Sequence, residues 1–419
     1  MKWMMAQTRR WGFVWITLIL GFLGLSLSFQ NCGVGFKVGE ISKNSINETP
    51  TPAPTPPADD NLAALIRPNL LPDCATNPQY NACIFWKNPV AQQNSPLSAA
   101  LNFNSDLSAL QIHAVNIDSK DVDAKGQFKN SSFTIVDRET AAPVNGQYKF
   151  VFRSDSNHKV GKVMAFFWLN AQVKYMKGWA GRFDAADKSI TVKTYEANYE
   201  NAHWDSQQKE VVMGANSAGN EFALSGDVYL HEMGHANVHY ATNGNISQYK
   251  TDHHTLCAQD QALCCKTANG CAGAINEGQA DYHSAIIYST STGMGETWVN
   301  NLSGLVECGL NRAVEVNANL SAQQAYQACA SFNAAGEIHV AGRVYASIWF
   351  EMRKRAAQIS GGTAQEIDQL FAEHLPSLTA SDTFITACSK IISVSNQLFA
   401  GKYSTLVRQE CQRRGLNVP

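Results

Sequence analysis

Two stretches of this 419-residue chain hold residues whose types and spacing could do chemistry. The first is YLHEMGHANVHY, Tyr229 to Tyr240, with His231, His235 and His239 each four apart and Glu232 beside the first. Residues four apart in a helix share one face, about 6 Å apart along the axis, so His231 and His235 can converge on one ion. Glu232 sits about 100° round from His231, where a carboxylate reaches a metal-bound water without being a ligand. It can take the proton from that water and later pass it to a leaving group. His239 fails on geometry. It lies about 12 Å from His231 along the same helix, whereas zinc–nitrogen bonds are about 2 Å. The extended pattern HExxHxxGxxH would need a glycine at 238 and a histidine at 241, and this chain has Val238 and Ala241.

The third ligand must then come from another element. The second stretch, AINEGQADYHSAII, Ala274 to Ile287, offers Glu277 and Asp281, again four apart on one helical face. Glu277 can complete a shell of two histidines and one glutamate, leaving the fourth place for water. Asp281 can accept the remaining N–H of a ligating histidine and so fix its tautomer. A solvated acidic face is the plain alternative, but the flanking residues are mostly apolar or small.

Other elements must position these residues. Helical spacing is expected over VGKVMAFFWLNAQVKYMKGW, with Val163, Phe166, Phe167, Asn170, Val173 and Met176 on one side. SITVKTYEANYENAHW and KEVVMG read as strands. Further helices are expected over residues 226–241, 274–289, 337–356, 365–374 and 382–399. Short runs of β-branched and aromatic residues (LQIHAVNID, SFTIVD, QYKFVFR) make residues 74–155 a small β-rich module. Strands followed by helices around one core give an α+β fold.

The N-terminus has a different character. Lys2, Arg9 and Arg10 precede an uncharged apolar run, which reads as an export signal over residues 1–31, with an uncleaved membrane anchor as the rival. Cys32 stands where a bacterial lipoprotein signal has its lipidated cysteine, although Gln30 and Asn31 replace the usual small residues. Residues 32–73 include ETPTPAPTPPADD, an extended Pro/Thr spacer. The expected location is the cell envelope, with lipid anchoring to the outer membrane or cell surface. Setting Cys32 aside from the 11 cysteines leaves an even number, as disulfides outside the cytoplasm require. Local pairs would be Cys74–Cys83, Cys308–Cys329 and Cys388–Cys411, with Cys257, Cys264, Cys265 and Cys271 pairing among themselves. A second zinc site on those four lacks CxxC spacing. The formal net charge of −2 gives no electrostatic reason to expect nucleic acid.

HEMGH followed by NEGQAD resembles the gluzincin zinc metallopeptidases, among them thermolysin and, closer here, the fungalysins. KVMAFFWLNAQVKYM is similar to the helix opening the fungalysin catalytic domain. NAHWDSQQKEVVMG is similar to the edge strand that holds substrate backbone, which assigns that role to Asn201 and Ala202. EIHVAGRVYASIWFEM is similar to the later helix whose histidine hydrogen-bonds the tetrahedral intermediate, here His339. IFWKNPV near residue 84 is similar to the stretch ahead of the catalytic domain. The resemblance implies a zincin-like catalytic domain over residues 156–419, with a β-sheet lobe followed by a mostly helical lobe. It also implies one catalytic Zn²⁺, peptide or protein substrates, and Glu232 as general base. Calcium is a further ion of these families, but no carboxylates matching its site are identifiable.

The chain departs from the pattern in three places. The interval between His235 and Glu277 is longer than in thermolysin and carries the clustered cysteines. Tyr249 is the candidate for the tyrosine that assists the oxyanion. The large inhibitory prosegment of these families has no counterpart among the expected elements. A catalytically silent zincin-fold lipoprotein that binds peptides or partner proteins is the alternative from another class, and an amidase of cell-wall peptides is a third. The intact Glu232 and His339 favour an endopeptidase.

Overall fold

Chain segments that bury most of their side chains form the elements around the two motifs. The structure is a computed structural model. It describes residues 159–215, 221–246, 271–292 and 338–419, shorter stretches at 82–85, 112–115, 119–122 and 127–136, and a few single residues. The described elements fall within one compact unit, Thr55–Pro419.

Six strands are described: β1 (Ala82–Phe85), β2 (Ile112–Val115), β3 (Phe133–Val136), β4 (Ile190–Lys193), β5 (Ala202–Asp205) and β6 (Glu210–Met213). β1 and β2 pair antiparallel as a two-stranded sheet. The other four form a mixed sheet in the order β3-β4-β6-β5, parallel except for the antiparallel β5–β6 pair. β5 is therefore an edge among the described strands.

β3 belongs to the stretch expected as a separate β-rich module, yet it hydrogen-bonds to β4 of the expected catalytic domain. Phe128 and Phe133 also pack on Phe166 of the first helix, with ring centroids 5.0 and 5.7 Å apart. One sheet and one core thus run across position 155. The physical reason is that a four-residue strand with one apolar face cannot bury that face alone and must join a larger sheet. The run QYKFVFR lies outside the described residues, as do the N-terminal signal and tether.

Among the described residues are seven α-helices: α1 (Lys159–Gly178), α2 (Gly226–Ala241), α3 (Ala272–Thr292), α4 (Ile338–Arg355), α5 (Ala364–His374), α6 (Phe384–Phe399) and α7 (Ser404–Arg413). All expected helices are present with small shifts at their ends; α7 was not expected. The architecture is α+β, with a helical C-terminal part. No helix among the described residues is long and apolar enough to cross a membrane.

Half of the expected side of α1 faces the core. Val163, Phe166 and Met176 are buried, but Phe167, Asn170 and Val173 are only half-buried, and Trp168, Leu169, Gln172 and Tyr175 are buried as well. The helix lies between β-elements on one side, where Phe166 meets Phe128, and α2 on the other, where the Gln172 amide donates to the Leu230 carbonyl at 2.9 Å. A helix covered on two sides has no single apolar stripe for periodicity to find.

α2 and α3 are the innermost helices: residues 226–238 and 272–287 are buried throughout. Small residues let α2 approach both α1 and α3. A Cβ on Gly226 would stand 2.3 Å from the Trp168 indole nitrogen, and one on Gly234 would stand 3.0 Å from the Ala280 Cα.

Candidate active site

Three buried helices bring the two motifs together. α2 supplies His231, Glu232 and His235, α3 supplies Asn276, Glu277 and Asp281, and α4 supplies His339. His231 Nε2 lies 3.3 Å from Glu277 Oε2, and His235 Nε2 lies 3.5 Å from the same oxygen. The ligand atoms of these three residues all fall within 4.8 Å of one another. Donor atoms bound tetrahedrally at zinc distances stand about 3.3 Å apart. The two measured separations are those of tetrahedral edges, so this donor set fits a single zinc ion. The two imidazoles meet edge to face, 4.5 Å between centroids.

The Nδ1 atoms point the other way. His231 Nδ1 is 2.9 Å from Asp281 Oδ1, and His235 Nδ1 is 3.0 Å from Asn276 Oδ1. An imidazole that donates through Nδ1 carries its lone pair on Nε2, the atom turned toward Glu277 in both rings. Asp281 thus stands within hydrogen-bonding distance of a ring in the three-residue set. Asn276 was missed, although its signal was present: it is a polar residue next to Glu277 in an otherwise small and apolar run.

Burial alone would raise the Glu277 pKa, but charge on His339 and His235 outweighs it and holds the carboxyl well below the usual range. Burial alone would lower the His235 pKa, yet the facing Glu277 raises it to about 9. A buried carboxylate kept ionised among imidazoles is the donor chemistry that a divalent cation requires. Glu232 is buried beside this set, and its charge adds to the upward pull on His235.

His339 is buried in the first turn of α4, with Nε2 3.4 Å from Glu277 Oε2. The structure therefore brings it to the centre, although the three-ligand set does not include it. His239 is outside the set too. It is half-buried against Trp204 of β5, ring centroids 6.1 Å apart, and burial lowers its pKa, as does nearby Lys209. Ala202 opens edge strand β5 and pairs with Met213; the Asn201 carbonyl accepts from Gly214 N at 2.8 Å. β5 meets the end of α2 through Trp204, one helical turn beyond His235. Tyr249 and Cys32 lie outside the described residues.

Sequence reasoning also missed the layer beneath. Asn237 donates to His283 Nε2 at 2.9 Å and accepts from Ala185 N at 3.1 Å, while His283 Nδ1 donates to the Gln279 carbonyl at 2.8 Å. Burial pushes the His283 pKa down to about 4, so the ring is neutral and structural. Beside Asp281, Tyr282 donates to the buried Asp368 of α5 at 3.0 Å, as does Arg353 of α4 at 3.2 Å. Tyr175 of α1 donates to Asp368 as well. Four helices are tied at this one carboxylate.

Two histidines and a glutamate converge from neighbouring helices, with Glu232 buried between the histidines in sequence, which is the arrangement the HExxH pattern leads one to expect. Residues 107–239, about a third of the chain, match the family model of the thermolysin metallopeptidase catalytic domain. The matched residues include β2, β3 and the two histidines but stop before Glu277, so α3 and α4 join the site by geometry alone. Nothing in the match singles out the fungalysins. Among solved structures, the chain is similar to the precursor of protealysin, a metalloproteinase from Serratia proteamaculans. The identity is 16%, the TM-score is 0.41, and 63% of this chain and 80% of that one are covered. No curated protein matches the chain.

Proposed function

We propose that this protein is a zinc-dependent endopeptidase. The observation that carries this reading is the convergence of His231, His235 and Glu277 from two helices, with donor separations of 3.3 and 3.5 Å. Zinc held there would lower the pKa of a bound water and polarise the scissile carbonyl. Glu232 takes the proton of the attacking water and delivers it to the departing amine. His339 donates a hydrogen bond to the oxyanion that develops on the carbonyl. Asp281 and Asn276 keep both ligating rings in the tautomer that presents Nε2. Asn201 and Ala202, at edge strand β5, align the peptide as an added strand. The test is Glu232→Gln in the full chain. Zinc content by mass spectrometry should stay at one ion per chain while casein cleavage is lost. Full cleavage by the variant would rule the mechanism out.

The protein would work outside the cytoplasm, held to the envelope through Cys32, with the Pro/Thr spacer between anchor and catalytic domain. The support is the charged-then-apolar N-terminal sequence ending at Cys32. Fractionating cells that express Cys32→Ala should move the protein from the membrane to the soluble fraction. A variant that stays membrane-bound would disprove lipid anchoring.

A further inference from the structure

Two glycines face each other where α3 crosses α4. A Cβ on Gly342 would stand 2.8 Å from the Glu277 Cβ, 2.9 Å from Gly278 N and 3.0 Å from the Ala274 carbonyl. A Cβ on Gly278 would stand 2.5 Å from the Gly342 carbonyl and 3.0 Å from the Tyr345 Cβ. These neighbours are mostly backbone atoms of packed helices and cannot swing aside. Gly278 directly follows Glu277, and Gly342 comes three residues after His339, on the same side of its helix. The crossing point therefore lies next to the His339–Glu277 pair.

We infer that Gly342 is a positioning residue: its missing side chain sets how close His339 stands to the metal centre. A different crossing sets the metal shell itself, since α2 meets α3 through Gly234 against Ala280. Gly342 faces Glu277 itself, so the two distances separate only because α2 holds α3 from its other side. A methyl group at 342 must push α4 away from α3 by roughly half an ångström or more to restore ordinary contact. His339 Nε2 is already 3.4 Å from Glu277 Oε2, at the outer limit of hydrogen bonding. With α3 packed against α2 at Gly234, the displacement falls on α4 and takes His339 out of place.

This inference rests on the peptidase reading for its kinetics, but not for its geometry. The experiment is Gly342→Ala in the full chain, alone and combined with His339→Ala. Zinc content, kcat and KM on a peptide would be measured, with a crystal structure of the single variant. Zinc should remain at one ion per chain and KM should stay unchanged. kcat should fall on the order of 10- to 100-fold, as sub-ångström misplacement of a catalytic group does. On the His339→Ala background the same change should cause no further fall, because its effect acts through that ring. An equal fall on both backgrounds, loss of zinc, or an unchanged His339–Glu277 separation in the crystal would overturn the proposal. If Gly342→Ala does not fold, Ala346→Val, a wedge one turn further along α4, is judged by the same outcomes. If the wild-type protein cleaves nothing, the peptidase reading fails, and the crystallographic separation alone decides the positioning role.

Discussion

The central helices α2 and α3 and the C-terminal helices α5 to α7 are stabilised in opposite ways. In α6, Phe384, Ala387, Cys388, Ile391, Ile392 and Ser395 form one buried stripe at helical spacing, with exposed residues opposite. Its N-terminus is closed by Thr383, which accepts from Thr386 N at 3.1 Å, and that of α5 by Thr363 with Glu366. Such helices carry their own start signals. α2 has no side-chain capping bond at its start, and residues 226–238 of α2 and 272–287 of α3 are buried on every side. What holds them is tertiary. Ser284 donates to the Asp227 carbonyl at 2.9 Å, Tyr229 to the Gly161 carbonyl at 3.0 Å, and glycines make room for the crossings. Where local signals are absent, side chains from distant positions do the work, and in this protein those side chains are the ones beside the chemistry.

If the comparison is right, substitutions in the centre should damage the metal site first, and substitutions in the C-terminal region should damage stability first. The larger effect belongs to the centre. Asp281 is fully buried and holds His231 Nδ1. Asp281→Asn keeps its shape but removes the charge that fixes the imidazole, and zinc affinity should fall about 10- to 100-fold. Titration against a competing chelator would measure this, with thermal unfolding of the metal-free protein as the control. Affinity within twofold of wild type would mean that Asp281 does not orient the ligand.

The same contrast explains what could be foreseen from sequence. The metal triad was legible because helical spacing alone puts His231 beside His235, and Glu277 beside Asp281, whatever the rest of the chain does. His239 was set aside by the same arithmetic, and it lies against Trp204, outside the three-residue set. The Cys388–Cys411 pair was legible from proximity, and the bond is present, with Cα atoms 6.6 Å apart. Cys271 is buried at the start of α3, and the other cysteine pairs involve residues outside the described ones. What could not be foreseen depends on contacts between distant segments. The buried face of α1 was only half foreseen because α2 and β-elements cover the helix from two directions. β3 pairs with β4 across some fifty positions of sequence, for which no local pattern exists. α7 went unseen because its buried face, Leu406, Val407, Glu410 and Cys411, includes a charged residue. That residue, Glu410, is paired in the interior with Arg414 at 3.0 Å.

The smaller effect belongs to the C-terminal region and sharpens the comparison most. The disulfide between Cys388 and Cys411 joins α6 to α7 across 23 positions. Replacing both cysteines by serine should cost about 2–4 kcal/mol of stability, because the unfolded chain regains the freedom that the link removes. Denaturant unfolding would show it as a lower midpoint. Zinc content and kcat below the transition should be unchanged if the two regions are separable. One contact makes this a demanding test. Arg414, just beyond α7, donates to the Ser347 hydroxyl of α4 at 2.7 Å and to the Ser347 carbonyl at 2.8 Å. Ser347 lies two turns from His339 on the same helix. Loosening α7 would therefore reach His339 without touching His231, His235 or Glu277. A fall in kcat with zinc retained would show that α7 helps hold α4, and the separation into a chemical centre and a structural flank would fail at Ser347.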